Sequence, residues 1–410
     1  MTSVIYISRT GMLEPLGQSQ VLAYLKGLST KHEITLISFE RDADLLDRAH
    51  LSQIDAACAE HGIRWIKLRY RQKPRILAST FNLIQIIYHT AREVRSTHAK
   101  LIHARSYIPA AAAWAVSRIT GTPYVFDMRS LWPEELITSG RMRRGSFLHK
   151  LIFKAERRLL SDAKIVVSLT QAGARYLQSV HPDTFSNDQL RVIPTCADLD
   201  RFTPAPEAKG PAPLIGCHGS LNNGWFRVDL LAKMFDLLAA RLPQARFEII
   251  TREDPAAVLA ALSSALGVVP DWYARLTISR AKASEIHERL QRQSLSMFFY
   301  ASGAASELGR SPTRMGESLG CGVPVLANEG VGDVAETIRQ SQVGYVIDGE
   351  DEAALRRAAD AAIVLLRDPD IAERCRQAAE KIYSLDTGVQ SYQSIYHQIE
   401  SDENARVQVL

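Results

Sequence analysis

Short apolar runs recur down this chain, each closed by a glycine, proline or polar turn and followed by a stretch with helical spacing. SVIYIS (3–8), EITLISF (33–39) and LIHA (101–104) lie in the first half; RFEIIT (246–251), SMFFYAS (296–302), VPVLA (323–327) and GYVIDG (344–349) lie in the second. A run that is apolar without alternation is buried on both faces, as parallel strands covered by helices are. In the opening 39 residues, Gly11, Pro15 and Gly17 read as a loop, and Val21, Leu22, Leu25 and Leu28 form a helical stripe. The order strand, glycine loop, helix, strand is a Rossmann-like start. No G-x-G-x-x-G follows the first strand, so a tightly bound dinucleotide is not indicated. Further on, residues 47–60, 76–95, 226–241, 351–367 and 369–383 read as helices, and 149–177 as helix, strand, helix.

The length of 410 residues allows two domains with separate cores. The proline-rich stretch TPAPEAKGPAP (203–213) has the composition of a linker. Five single cysteines, Cys58, Cys196, Cys217, Cys321 and Cys375, form no C-x-x-C or Cys/His cluster, so reduced thiols and no zinc site are expected. MTSVIYISRT lacks the pattern of a secretion signal, and no stretch has the length and apolarity of a spanning helix. Asp368-Pro369-Asp370 is formally a D-x-D, but it lies between two expected helices, where an aspartate at a helix start is routine.

Charge is unevenly placed. Residues 1–198 carry 27 Lys/Arg and 17 Asp/Glu, a net +10, whereas the remainder carries 22 and 28, a net −6. A basic first half suits an anionic surface or ligand. Nucleic acid is not expected, because zinc-finger spacing, an RNP-like strand and a continuous basic helix are all missing. The basic run RYRQKPR (69–75) precedes ILASTFNLIQIIYHTAREVR (76–95), which is apolar nearly all round with basic ends. One reading is an amphipathic helix on an anionic membrane, or an entrance for a lipid-linked acceptor. The other is a core helix preceded by a solvated loop. Arg141, Arg143 and Arg144 form a second basic patch.

The densest chemistry lies in SPTRMGESLGCGVPVLAN (311–328). Ser311 suits an N-cap and Pro312 a first turn, giving a helix to about Leu319 that Gly320 and Gly322 end. Its first N–H groups form an anion site, with the Thr313 hydroxyl and the Arg314 charge beside them. Glu317, four residues after Thr313, shares that face one turn deeper and suits two neighbouring sugar hydroxyls. Phosphate at the helix start and ribose one turn in describe a nucleotide diphosphate; an ordinary Arg314–Glu317 surface pair is the alternative. Two further polar clusters, His103-Ala-Arg105-Ser106 and Asp127-Met128-Arg129, end expected strands, where doubly wound sheets hold ligands. A buried Asp–Arg pair holding a loop is the alternative there.

The 311–328 segment resembles the donor-binding segment of the retaining family 4 (group 1) glycosyltransferases, which have the GT-B fold. The second Glu of their Glu-x7-Glu pattern matches Glu317; the first falls on Gly309, with Glu307 the nearest acid. The sequence is similar to a subgroup with Ser-Pro-Thr-Lys/Arg, and the loop 302–314 is left to supply the missing sugar contact. RVIPTCADLDRFTP (191–204) resembles the family's interdomain signature, with Thr195 and Cys196 replacing Asn-Gly. Asp127-x-Arg129 stands where the family has a Thr-x-His-like motif facing the sugar, and Gly17 and Gln18 stand at the family's Gly-Gly loop, a plain βα turn being the alternative. Gly219-Ser220 stands where the family has Gly-Arg, and NNGWFR (222–227) lacks the usual Lys-Gly. Arg227 and Arg314 both remain open as the diphosphate's charge partner. The segment near Ser279 and Arg280 resembles the one whose backbone reads the nucleobase, and SLDTGVQSYQSIYHQI (384–399) the helix that crosses back to the first domain.

The resemblance implies two Rossmann-like α/β domains facing a cleft. Residues 1–198, with a returning helix over 385–410, form the acceptor side, and residues 199–384 the nucleotide-sugar side. It implies transfer of a sugar, with retention, from a nucleotide-diphosphate donor to an acceptor hydroxyl, without metal or other cofactor. The expected catalytic residues are Asp127, Arg129 and Arg314. The expected donor-binding residues are Gly17, Gln18, Gly219, Ser220, Arg227, Arg280, Ser311, Pro312, Thr313, Arg314 and Glu317, with His103 and Arg105 on the acceptor side. The expected acceptor is a lipid-linked bacterial surface glycan, and the expected location is cytoplasmic or peripheral on the inner membrane face. A non-catalytic relative and a two-domain nucleotide-sugar epimerase are the alternatives.

Overall fold

The computed structural model describes residues 1–206, 210, 212–221 and 224–409, with the side chains of 75, 76, 404 and 406–409 outside that description. The chain divides into two compact units, Met1–Pro194 with the stretch from Leu385 onward, and Thr195–Ser384. The linker stretch falls partly, at 207–209 and 211, outside the described residues.

The first unit is built on a seven-stranded parallel sheet. Its strands are β1 (Thr2–Ser8), β2 (His32–Glu40), β3 (Arg64–Arg69), β4 (Leu101–Arg105), β5 (Tyr124–Asp127), β6 (Ile165–Ser168) and β7 (Leu190–Val192), in the order β3-β2-β1-β4-β5-β6-β7. β1, β4, β5 and β6 are buried at every residue, which is why they read as apolar without alternation up to their polar carboxyl ends. The edge strand β3 keeps only Leu68 buried. Strand order reverses between β1 and β4, in register Tyr6 to His103 and Ser8 to Arg105, and ligand crevices form at such reversals.

Helices connect these strands locally. Asp47 caps Arg48–Glu60 by accepting the His50 N–H at 3.0 Å, and Thr170 caps Gln171–Val180 by accepting the Gly173 N–H at 2.9 Å. The final helix, Leu385–Val409, packs on Ala23–Leu28, burying Tyr392, Ile395, Tyr396 and Ile399. A side chain at Gly27 would meet Val389 at 2.8 Å, so glycine sets that approach.

Two sequence expectations change here, and a third holds. Pro15 and Gly17 are not loop residues: a helix starts at Pro15 and continues through a π turn, Gln18–Leu22, into Ala23–Leu28. The helix expected from His149 starts at Phe147, because Ser146 caps it by accepting the His149 N–H at 3.2 Å. The helix Arg75–Thr97 carries apolar side chains on both faces, as its sequence implied; it buries Ala78, Ile86 and Val94 and exposes Leu77, Phe81, Ile84 and Tyr88.

The second unit carries a six-stranded parallel sheet. Its strands are β8 (Leu214–His218), β9 (Arg246–Ile250), β10 (Leu276–Ser279), β11 (Leu295–Phe298), β12 (Val325–Asn328) and β13 (Gly344–Ile347), in the order β10-β9-β8-β11-β12-β13. The reversal here is between β8 and β11. Phe235, from the helix Val228–Arg241, packs against Phe247 and Trp272 with ring centroids 4.8 and 5.6 Å away. The two separate parallel sheets fit the expected α/β architecture.

Candidate functional site

The second unit's polar site forms where β8 ends. Gly219 follows His218 with φ +101°, and a Cβ there would lie 2.6 to 2.8 Å from the Arg314 guanidinium; only glycine fits both conditions. Arg314 comes from the helix Thr313–Gly320, which leads into β12. The N-cap of that helix is Pro312, one residue later than expected, and no side chain caps it. Ser311 is instead occupied as an acceptor: its Oγ takes the Thr195 N–H at 3.0 Å. Arg314 Nη2 donates to the Ser220 carbonyl at 2.9 Å, and the guanidinium stands 5.3 Å from the Phe226 ring centroid and 5.6 Å from that of Tyr300. Its Nη1 is buried without a hydrogen-bond partner among the described residues. Arg314 therefore keeps donor capacity at the start of a helix.

Glu317 sits one turn further along, its side chain 19% exposed. His218 Nε2 contacts its Oε2 at 3.1 Å. An Nε2–H donated by His218 fixes one carboxylate oxygen and leaves the other for a ligand hydroxyl. His218 is a site residue that sequence reasoning missed; a histidine closing the apolar strand before Gly219 was the available signal. Thr313 is half-buried at the first helical position.

The two arginines that the sequence left open differ sharply. Arg227 donates Nε and Nη2 to Asp229 at 2.8 and 2.7 Å, and Nη1 and Nη2 to Glu350 at 2.6 and 2.8 Å. These hydrogen bonds hold Asp229 and Glu350 below their usual carboxylate ranges against the opposing effect of burial. A diphosphate would have to displace two carboxylates from Arg227, and none of the described residues' carboxylates from Arg314. Ser220 is likewise engaged: its Oγ and the Leu221 N–H both donate to Glu253 Oε1 at 2.8 Å. Asn222 and Asn223, in the stretch without Lys-Gly, lie outside the described residues. Arg280 is exposed just after the edge strand β10. Glu307, the acid nearest the position held by Gly309, is turned inward: it is buried, and Arg310 Nε meets it at 2.6 Å while stacking on Trp225.

The first unit gathers His103, Arg105, Asp127 and Arg129 at the β4 and β5 ends, but inside the fold. His103 and Asp127 are 1% exposed and Arg105 7%. Tyr6, Tyr392 and Tyr396 surround His103, with ring centroids 4.3, 5.1 and 5.8 Å from it. The Tyr396 hydroxyl lies 2.6 Å from His103 Nδ1, and His103 Nε2 lies 3.6 Å from Asp127 Oδ2. Arg129 Nη1 is 3.6 Å from Asp127 Oδ1. These last two are ionic contacts longer than hydrogen bonds. Burial pushes the Asp127 carboxyl up, but Arg129, then His103 and Arg105, outweigh it and hold the group below its usual range. Burial drives His103 down, against the pull of Asp127, so the imidazole is neutral. Arg129 sits at φ +62° and Ser106 at φ +78°, a backbone form that costs non-glycine residues of the order of 1 kcal/mol or more. The ionised Asp127 holds Arg129 in that conformation, beneath the tyrosines of the last helix.

Gly17 and Gln18 lie elsewhere in this unit. A Cβ on Gly17 would fall 1.9 Å from the Gly11 carbonyl oxygen, so the glycine serves a close backbone approach. Gln18 Nε2 is 3.1 Å from His50 Nε2. Sequence reasoning missed Glu40, which is fully buried and accepts the Met12 and Leu13 N–H groups at 2.9 and 3.2 Å, pinning the loop after β1. An acid closing an otherwise apolar strand was the available signal.

Comparison with known proteins agrees with this architecture. Residues 17–201 match the family model described as Glycosyltransferase Family 4. No curated protein sequence matches the chain. Among solved structures, a glycosyltransferase from Rickettsia africae is 14% identical, with 97% of this chain and 98% of that one covered and a TM-score of 0.71. Sucrose-phosphate synthase from Thermosynechococcus elongatus is 15% identical, covering 98% of this chain and 100% of that one, with a TM-score of 0.71. HepE from Anabaena, in complex with UDP and glucose, is 13% identical over 97% of this chain and 100% of that one, with a TM-score of 0.66. At these identities what is shared is the fold, a two-domain α/β architecture found in glycosyltransferases.

Proposed function

We propose that the protein is a glycosyltransferase that takes a sugar from a nucleotide-diphosphate donor and passes it, with retention at the anomeric carbon, to an acceptor hydroxyl. One observation carries this reading: Arg314, with an unpartnered buried Nη1, and Glu317, oriented by His218, lie one turn apart at the β8 end. The Arg314 charge and the helix start suit a diphosphate, and the free Glu317 oxygen suits a ribose hydroxyl. As the donor bond breaks, negative charge grows on the diphosphate, and preorganised donors stabilise it without metal. The acceptor is a lipid-linked bacterial surface glycan intermediate, and the enzyme works on the cytoplasmic side; the net +10 of residues 1–198 supports an anionic acceptor environment.

Ser220 and Gly309, which stand where the resembling enzymes carry charged residues, favour a second, non-catalytic reading in which donor is bound and not turned over. Incubation with a panel of nucleotide sugars and a lipid extract, in EDTA, separates the two. Sugar transfer in EDTA is expected. Donor binding without transfer selects the non-catalytic reading, free epimerised donor selects an isomerase, and transfer restored only by Mg²⁺ or Mn²⁺ overturns the metal-free argument.

A further inference from the structure

Half of the exposed large apolar side chains among the described residues, seven of fourteen, lie on two helices in the first unit, all but Tyr88 in their N-terminal halves. Leu77, Phe81, Ile84 and Tyr88 are 69, 40, 60 and 62% exposed on Arg75–Thr97, and their spacing of four, three and four places them on one stripe. Phe147, Leu148 and Leu151 are 83, 48 and 54% exposed at the start of Phe147–Asp162. The helix Tyr107–Thr120 packs against both, so all three share one layer. Each of the two helices delivers its C-terminus to the amino end of the next strand, β4 or β6, so both apolar starts lie at the carboxyl edge of the sheet. That is the edge where β4 and β5 end in Arg105 and Asp127.

The charge around these stripes has one sign. Residues 61–92 and 136–155 contain no Asp or Glu, and both apolar starts fall within them. Arg69, Arg71, Lys73, Arg141, Arg143 and Lys150 are exposed there. The side chain of Arg75 lies outside those described, and Arg144 is paired with Glu134 at 2.5 Å. Arg71 stacks on the Phe81 ring at 3.9 Å, so its charge sits directly beside the stripe. A second copy of this chain would bring like charges together, whereas an anionic bilayer satisfies apolar side chains and basic rim at once. No helix among the described residues is long and apolar enough to cross a membrane.

We propose that this layer is a peripheral membrane-docking surface, in which the two apolar starts enter the headgroup region of an anionic bilayer and the flanking Arg and Lys hold its phosphates. Docking in this manner brings the carboxyl edge of the first sheet to the lipid surface, and it is independent of which sugar is transferred.

Flotation of the full chain with vesicles of phosphatidylcholine, alone or with one third phosphatidylglycerol, tests it. Recruitment is expected only to the anionic vesicles, and should fall at high salt. Replacing Arg69, Arg71 and Lys73 with Ser should lower partitioning on the order of a hundredfold. Replacing Leu77, Ile84 and Leu151 with Ser should lower it at least about tenfold with thermal unfolding unchanged, since these side chains are exposed. Equal recovery with both lipids, unchanged partitioning of the apolar variant, or self-association through the layer without recruitment would each overturn the proposal.

Discussion

The polar groups at the strand ends of the two units are built from the same parts, arginine and carboxylate beside a histidine, and arranged to opposite ends. In the first unit the histidine and carboxylate are buried, and both are closed in by neighbours: His103 by three tyrosines, Asp127 by Arg129 and His103. In the second, Glu317 is partly open, His218 orients it, and Arg314 retains an unused donor. A charge enclosed in the interior holds structure, because its removal strands its partner away from water. A charge held in place but incompletely bonded is ready for a ligand. The first cluster should therefore answer to stability measurements and the second to substrate measurements.

The largest expected effect breaks the first cluster. Asp127→Ala leaves Arg129 buried without its carboxylate and should cost about 3–5 kcal/mol of stability. The pH dependence has a definite sign. The folded carboxyl titrates below its unfolded value of about 3.9, so its contribution is present above that pH and is lost as pH falls through the lower folded value. Denaturant titrations of wild type and Asp127→Asn, from pH 7 down through that lower folded value, should converge at the acid end. A constant difference across that range would show that the charge of Asp127 is not what holds Arg129.

Next in size is the contrast between the two arginines of the second unit. Arg314→Ala should lower kcat by on the order of a hundredfold or more, as loss of a donor aimed at developing charge does. Arg227→Ala should leave kcat near wild type and cost about 1 kcal/mol or less of stability, since its carboxylate partners are largely solvent-exposed. Steady-state kinetics of both variants decide between them, and the reverse ranking would return the diphosphate to Arg227.

The alternation of strands and helices was legible in sequence because it is local: apolar runs, caps such as Asp47, and glycine stops all act within a few residues. The helix carrying Arg314 and Glu317 was legible for the same reason, apart from its cap, which Ser311 lost to a partner 116 residues away. What the sequence hid were choices made by distant partners. Arg227 is neutralised by Glu350, 123 residues on; Glu317 is oriented by His218, 99 residues earlier; His103 is closed off by Tyr396, 293 residues later. Periodicity reports which face a residue occupies and not which side chain meets it there. Exposure on Arg75–Thr97 was hidden similarly, since an apolar stripe facing solvent and one facing the core have the same spacing.

The smallest expected effect sharpens the comparison within the second cluster. Glu317→Ala should weaken donor binding by about 1–3 kcal/mol, the range for hydrogen bonds to a charged group. His218 touches Glu317 and acts through it, so His218→Ala should cost less, on the order of tenfold in KM with kcat nearly unchanged. His218→Asn or His218→Gln, which can still offer an N–H to the carboxylate, should recover part of that loss. Calorimetric titration with donor also separates orientation from packing: in a Glu317→Ala background, His218→Ala should add almost nothing. Additive losses in the double variant would mean that His218 does not work through Glu317. An unchanged affinity in Glu317→Ala alone would remove the ribose from this helix altogether, and with it the argument that Arg314 and Glu317 hold one ligand.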